Sequence, residues 1–90
     1  MPHTIRDRSK LLARVRRIDG QLAALEKQLT DGADCNAVLQ QIAAIKGAVN
    51  GLMGAVIEGH LHEHIVKENR PEQRQQDMEA VLQVIKSYLR

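Results

Sequence analysis

The thirty residues from Cys35 to His64 constrain this chain most, because they read as one uninterrupted helix with reactive side chains at both ends. Apolar residues recur at Val38, Leu39, Ile42, Ile45, Val49, Leu52, Met53, Val56 and Ile57, the i, i+3, i+4 repeat of a helix that buries one face. The stripe begins at Cys35 and continues onto His60 and His64. At about 1.5 Å of rise per residue, Cys35 and His60 lie roughly 37 Å apart along a single helix. One helix cannot bring them together, so a shared site requires a second copy running antiparallel to the first. Ala43, Ala44, Gly47, Ala48, Gly51 and Gly54 cluster around the midpoint near residue 49, where small side chains suit close approach by such a neighbour. A two-fold axis there sets each Cys35 beside the histidines of the other copy.

The flanking segments supply two more helices. Thr4 and Asp7 form a capping-like pair, a hydroxyl and an acid suited to the early N–H groups and the positive dipole end. Helix one then runs to about Leu29, with Leu11, Val15, Ile18, Leu22, Leu25 and Leu29 forming a coiled-coil-like seam. Gly20 inside that seam costs about 1 kcal/mol relative to alanine and marks a candidate close helix crossing. Asp31-Gly32 ends the helix, since glycine takes the left-handed cap conformation cheaply. Asp34 is the expected N-cap of helix two, which places Cys35 in its first turn. Residues 66–70 are polar and interrupt the pattern, and Pro71 fits the first position of helix three. That helix runs to the C-terminus with Met78, Val81, Leu82, Ile85 and Leu89 on one face. The expected fold is all-α: a three-helix protomer with a long central helix, one domain over residues 1–90, paired as an antiparallel dimer.

Composition makes pairing more than an option. There is no Phe or Trp and one Tyr, Tyr88, so the core is aliphatic. A chain this short buries a modest fraction of its surface when folded alone, and its long apolar stripes need a partner chain to close against. One cysteine excludes an intrachain disulfide framework and fits a reducing compartment. No apolar run approaches ~18 residues and no signal-peptide core is visible, so a soluble cytoplasmic protein without membrane contact is expected.

Two constellations carry chemistry. A thiol in the first turn of a helix feels the positive end of the dipole, which favours thiolate, the metal-binding and nucleophilic form. A lone cysteine can equally be a small buried hydrophobe; its position opposite two histidines of a second copy argues for a ligand. His60 and His64 are four apart and project from one face a turn apart, a usual bidentate spacing for a metal. His62 points away toward solvent, and Glu63, on a different face, is at most accessory. The H-x-x-x-H spacing of zinc proteases needs a Glu after the first His, and Leu61 stands there. No general acid–base pair is apparent, so an enzyme is not expected. His3 on the N-terminal arm means little alone, but the chain's amino group lies near it. With Met1 removed, Pro2 would offer a secondary amine able to bind metal or attack a carbonyl. One sulfur with several imidazoles suits Ni(II), Co(II) or Zn(II), whereas Cu(I) would prefer a second thiolate.

The second constellation is basic. Formal charge is only +2, yet residues 1–17 hold Arg6, Arg8, Lys10, Arg14, Arg16 and Arg17 against one acid, Asp7. Arg6, Lys10, Arg14 and Arg17 recur along one side of helix one, with Arg8 and Arg16 broadening it. Such a row can neutralise consecutive phosphates and give salt-dependent nucleic-acid binding. A solvated helix face explains the same spacing, and duplication in a symmetric oligomer favours the nucleic-acid reading. No helix-turn-helix or zinc-finger pattern is present.

The segment Cys35-Asn36-Ala37-Val38-Leu39-Gln40-Gln41-Ile42-Ala43-Ala44-Ile45-Lys46-Gly47-Ala48-Val49-Asn50-Gly51-Leu52-Met53 resembles the central helix of the CsoR/RcnR family, the copper-sensor and nickel/cobalt-resistance repressors. His3-Thr4-Ile5-Arg6-Asp7, the Arg14-to-Gly20 stretch, Gly59-His60-Leu61, Glu63-His64-Ile65-Val66 and Ser87-Tyr88-Leu89 extend the likeness over nearly the whole chain. The resemblance implies a dimer assembled into a dimer-of-dimers homotetramer that represses a promoter until an effector releases the operator DNA. His3, Cys35, His60 and His64 resemble the ligand set of the nickel/cobalt branch, whose effector would control a metal efflux gene. Copper members carry a second cysteine where His60 stands here, and sulfide-responsive relatives also need two. Pro2 and Cys35 match the formaldehyde-sensing branch, in which amine and thiol can be joined by one carbon to control a detoxification operon. His64 departs from that branch, which usually places an acid there. Arg14 and Arg17 match the family's DNA-binding face, and Lys46, often Arg in relatives, is implied as a further phosphate contact.

Overall fold

The computed structural model describes residues 3–89. The expected roles of the Pro2 amine and of the His3 side chain as a ligand therefore lie outside the described residues. Helix α1 spans His3–Arg6, α2 Arg8–Thr30, α3 Cys35–Leu61 and α4 Pro71–Tyr88, with a π-helical turn at His62–Val66 between α3 and α4. No strand occurs among the described residues. Three long helices are present, as the sequence led us to expect.

Local chemistry explains most boundaries. Asp34, in extended conformation, accepts a hydrogen bond from the Ala37 N–H at 2.7 Å and caps α3. Gly32 has φ of +74°, and the Ala33 N–H donates to the Gln28 carbonyl at 2.9 Å, closing α2 with the six-to-one bond of a Schellman turn. Pro71 opens α4. Just before it, Arg70 donates through its side chain and backbone to Glu68, holding that carboxyl down to about 2. Asp34→Ala is expected to lower stability by about 1 kcal/mol, read as a lower denaturant midpoint with an unchanged slope.

Two expectations are corrected. Thr4 lies inside α1 rather than capping a long first helix, and Asp7 interrupts the rod between α1 and α2 without a side-chain capping bond. Its carboxylate lies 3.6 Å from Arg6 Nε instead, so a neighbouring guanidinium outcompetes the helix end. The helix from Cys35 does not stay α-helical to His64. After Leu61 it widens into the π turn, where the Lys67 N–H donates to the His62 carbonyl at 3.1 Å.

Helix α2 folds back along α3. The seam splits in doing so: Leu11 and Leu25 are half-buried and Ile18 is 9% exposed, whereas Val15, Leu22 and Leu29 face outward. Gln21 and Gln28 share the inner face, and Gln41 Nε2 donates to the Gln21 carbonyl at 3.0 Å, which fixes the register of the hairpin. On α3, Val38, Ile45, Ala48, Leu52 and Ala55 lose exposure, whereas Leu39 stays 58% exposed, with Ile42 and Val49 also exposed. Of the α4 face, Val81 is buried and Met78 and Ile85 are half-buried, but Leu82 and Leu89 are exposed. Among the described residues, nothing lies within 4 Å of where a Cβ on Gly20 would stand, so it marks no crossing within the protomer.

The protomer is a slab of 56 × 29 × 13 Å, about one helix thick. Its radius of gyration is 17.1 Å, against about 12 Å for a compact chain of this length. Only Ile18 and Val81 form a buried apolar core among the described residues. Covering the exposed part of each outward-facing Leu, Ile or Val would contribute roughly 1 kcal/mol. An 18-residue window within residues 35–66 also reaches a mean hydropathy of 1.2, long and apolar enough by composition to cross a membrane. It is not an unbroken apolar run, in keeping with the expectation that none approaches ~18 residues. Lys46, Asn50 and Glu58 interrupt it, and such groups are costly in lipid; the pattern is that of a core helix with part of its packing surface uncovered.

Candidate metal centre and nucleic-acid face

The end of α3 brings the two predicted histidines together. His60 lies in the last turn of α3 and His64 in the π turn, with ring centroids 4.4 Å apart and planes tilted by 38°. Both residues are half-buried. π-helical turns are rare, occur mostly as single turns within α-helices, and are frequent at functional sites. His62 is exposed, as its spacing predicts, and faces the basic groove described below rather than the histidine pair.

Two contacts from other helices reach this turn, an Asp77 carboxylate and an Arg6 guanidinium. Asp77 on α4 places Oδ2 3.5 Å from His64 Nδ1. Arg6 Nη1 donates to Glu63 Oε2 at 3.4 Å, tying α1 to the π turn. Neither pairing is visible in sequence spacing. Asp77 is four residues before the buried Val81 and so shares its face of α4, which is the one signal that could have pointed to it. Arg6 and Glu63 are 57 residues apart and meet only because α2 folds back along α3.

Cys35 occupies the first position of α3, directly after the Asp34 cap, and is exposed. Within this protomer it is not the buried hydrophobe that a lone cysteine often becomes. The length of α3 separates it from the histidines, and no group of three or more His, Cys, Asp or Glu side chains among the described residues could hold a metal ion. The structure thus joins His60 with His64 and leaves Cys35 at the far end. As a donor set, one thiolate and two imidazoles fit a borderline divalent cation, provided that two protomers contribute.

The basic residues converge on the adjoining surface. Arg6, Lys10, Arg14 and Arg17 line a groove of about 700 Å³ between the start of α2 and the end of α3, together with Asp7, Glu58 and His62. A smaller hollow of about 230 Å³ continues it past Arg14 and Arg17 along Gly47, Ala48 and Gly51. Arg14 Nη1 lies 3.1 Å from where a Cβ on Gly51 would stand, so the glycine gives the guanidinium room against α3. This close approach is made by a side chain, whereas among the described residues nothing lies within 4 Å of where a Cβ on Gly47 or Gly54 would stand. Arg8, Arg16 and Lys46 are exposed outside these two hollows.

Known proteins resemble this chain in sequence and in fold. Residues 7–87 match the family model described as metal-sensitive transcriptional repressor. The chain is 57% identical to an uncharacterized protein in the bioA 5' region of Serratia marcescens and 56% identical to the transcriptional repressor RcnR of Citrobacter koseri, covering 100% of each. Among solved structures, it is similar to a variant of the formaldehyde-responsive regulator FrmR from Salmonella enterica serovar Typhimurium in which a glutamate is replaced by histidine. The TM-score is 0.87 at 45% identity, covering 97% of this chain and 99% of that one. The all-helical fold, the long central helix and the full-length match agree: the chain belongs to the metal-sensitive transcriptional repressor family, the CsoR/RcnR family, and is a regulator rather than an enzyme.

Proposed function

We propose that this protein is a cytoplasmic Ni(II)/Co(II)-responsive repressor, with residues 1–90 acting as one sensing and DNA-binding domain. It binds operator DNA in the metal-free state and releases it on metal binding, derepressing a metal efflux gene. The observation that carries this reading is the separation of donors: His60 and His64 meet at one end of α3 while Cys35 is exposed at the other. The uncovered apolar faces of α2 and α3 supply the reason for a second copy. An antiparallel dimer, doubled into a homotetramer, would set Cys35 of one protomer against the histidines of the other. His3 and the amino terminus are positioned in sequence to close over that site. Bound metal would supply a link between protomers that favours one arrangement of the assembly over another.

The protein's own residues would carry the response to DNA. Arg6, Lys10, Arg14 and Arg17 share one groove and would neutralise phosphates, with Arg16 and Lys46 adding contacts beyond it. Arg6 begins only three residues after His3, so drawing in the arm would shift the first cation of the row. A coupling of about 1–3 kcal/mol between effector and DNA is typical.

Glu63 competes with phosphate for Arg6 in this arrangement. Glu63→Gln is expected to tighten metal-free DNA binding by about 1.5- to 5-fold, the range set by an exposed ion pair. Fluorescence anisotropy at low salt measures this, and an unchanged affinity would remove Arg6 from the phosphate contacts.

The similarity to the formaldehyde-responsive FrmR and the Pro2–Cys35 pair in the sequence support a second reading, an aldehyde sensor controlling a detoxification operon. Titrating the DNA-bound, reduced protein with Ni(II), Co(II), Zn(II) and formaldehyde separates the two. Release by Ni(II) or Co(II) with thiolate-to-metal absorption is expected. Release by formaldehyde alone would replace the metal reading, and absence of DNA binding at low salt would leave only a metal-binding scaffold.

A further inference from the structure

Helix α4 reaches the candidate metal centre through Asp77. Gln73, Asp77 and Val81 recur every four residues on one face of α4. Val81 is only 5% exposed and anchors that face against the rest of the chain. One turn earlier, the Asp77 carboxylate is used at both oxygens: Oδ1 accepts from Gln73 Nε2 at 2.9 Å, and Oδ2 lies 3.5 Å from His64 Nδ1. A carboxylate fixed in this way cannot swing freely, and it faces one particular nitrogen of one particular ring.

We propose that Asp77 is a positioning residue for the metal centre, holding His64 with Nδ1–H toward the carboxylate and the Nε2 lone pair toward the metal. This rests on the reading of His64 as a ligand. A neutral imidazole binds metal through one nitrogen while the other donates, and the partner of that donor fixes tautomer and ring orientation. Asp77 also brings negative charge beside the centre, which raises the basicity of the donor nitrogen. Because His64 stands in the wider π turn rather than in regular α-helix, its ring is steered by α4 as well as by its own helix. Gln73 acts one step further out by fixing the carboxylate.

Two readouts test this, one of them in metal-free protein. Long-range ¹H–¹⁵N NMR of the full chain labelled at histidine reads the His64 tautomer. The wild type is expected to hold the proton on Nδ1, Asp77→Asn to keep it there through the amide oxygen, and Asp77→Ala to lose the preference. Competition with a chelator for Ni(II) or Co(II) is expected to show a loss of about 10- to 100-fold for Asp77→Ala, a smaller loss for Asp77→Asn and the smallest for Gln73→Ala. Circular dichroism checks that the isosteric Asn variant keeps its helices. If His64→Ala weakens metal binding while Asp77→Ala changes neither tautomer nor affinity, the role of Asp77 is overturned. If His64→Ala itself leaves affinity unchanged, the ligand reading fails instead, whatever the tautomer shows.

Discussion

Val49→Asp is expected to break the protein into monomers and to take much of its helix content and all of its specific DNA binding with it. Val49 stands at the midpoint between Cys35 and the histidine pair and is 42% exposed on the protomer. It shares the outward side of α3 with Leu39 and Ile42, while α2 presents Val15, Leu22 and Leu29 to solvent. If these faces close on a second copy, the variant forfeits burial of the exposed part of Val49, about 1 kcal/mol. It also places a carboxylate against its own symmetry mate, where an unpaired buried charge costs several kcal/mol more. A protomer in which only Ile18 and Val81 are buried apolar residues among those described has little stability to fall back on, so dissociation and unfolding should coincide. Analytical ultracentrifugation and circular dichroism over a range of protein concentrations follow both. A variant that sediments like the wild type would show that the copies meet elsewhere.

The features legible in the sequence were those decided within a few residues. Asp34 caps α3, Gly32 closes α2 and Pro71 opens α4 because each depends on its own backbone and the next turn. The meeting of His60 and His64 belongs to the same class, since an i, i+4 pair faces one way whatever the helix packs against. Thr4 and Asp7 failed as a cap because a competing contact, Arg6 to Asp7, is equally local and charged. The seam of α2 was legible as apolar but not as divided: the periodicity does not say that Leu11, Ile18 and Leu25 take the α3 side while Val15, Leu22 and Leu29 are left over. Two glutamines on the inner face, Gln21 and Gln28, are the trace of that division. The π turn, Asp77 beside His64 and Arg6 on Glu63 arise from how α1 and α4 dock at the end of α3. Those contacts span long stretches of sequence and leave no periodic signature.

Cys35→Ala and His64→Ala are each expected to abolish metal-driven DNA release while leaving metal-free DNA binding intact, because neither residue lines the basic groove. The roughly 5- to 150-fold drop in DNA affinity that a coupling of 1–3 kcal/mol represents should vanish in both, together with the thiolate-to-metal absorption in the cysteine variant. Loss in each variant alone does not reveal whether one chain or two build the site; mixing them does. In a dimer of one Cys35→Ala chain and one His64→Ala chain, an intersubunit arrangement puts both substitutions into one site and leaves the other with every ligand. A statistical 1:1 mixture should then recover about a quarter of the wild-type absorption, one intact site in each mixed dimer of a two-fold assembly. A site built within a single chain recovers none, since every chain lacks one ligand. The length of α3 makes the first outcome the expected one: with Cys35 and His60 roughly 37 Å apart along a straight rod, only antiparallel copies can bring sulfur and imidazole to the same metal ion.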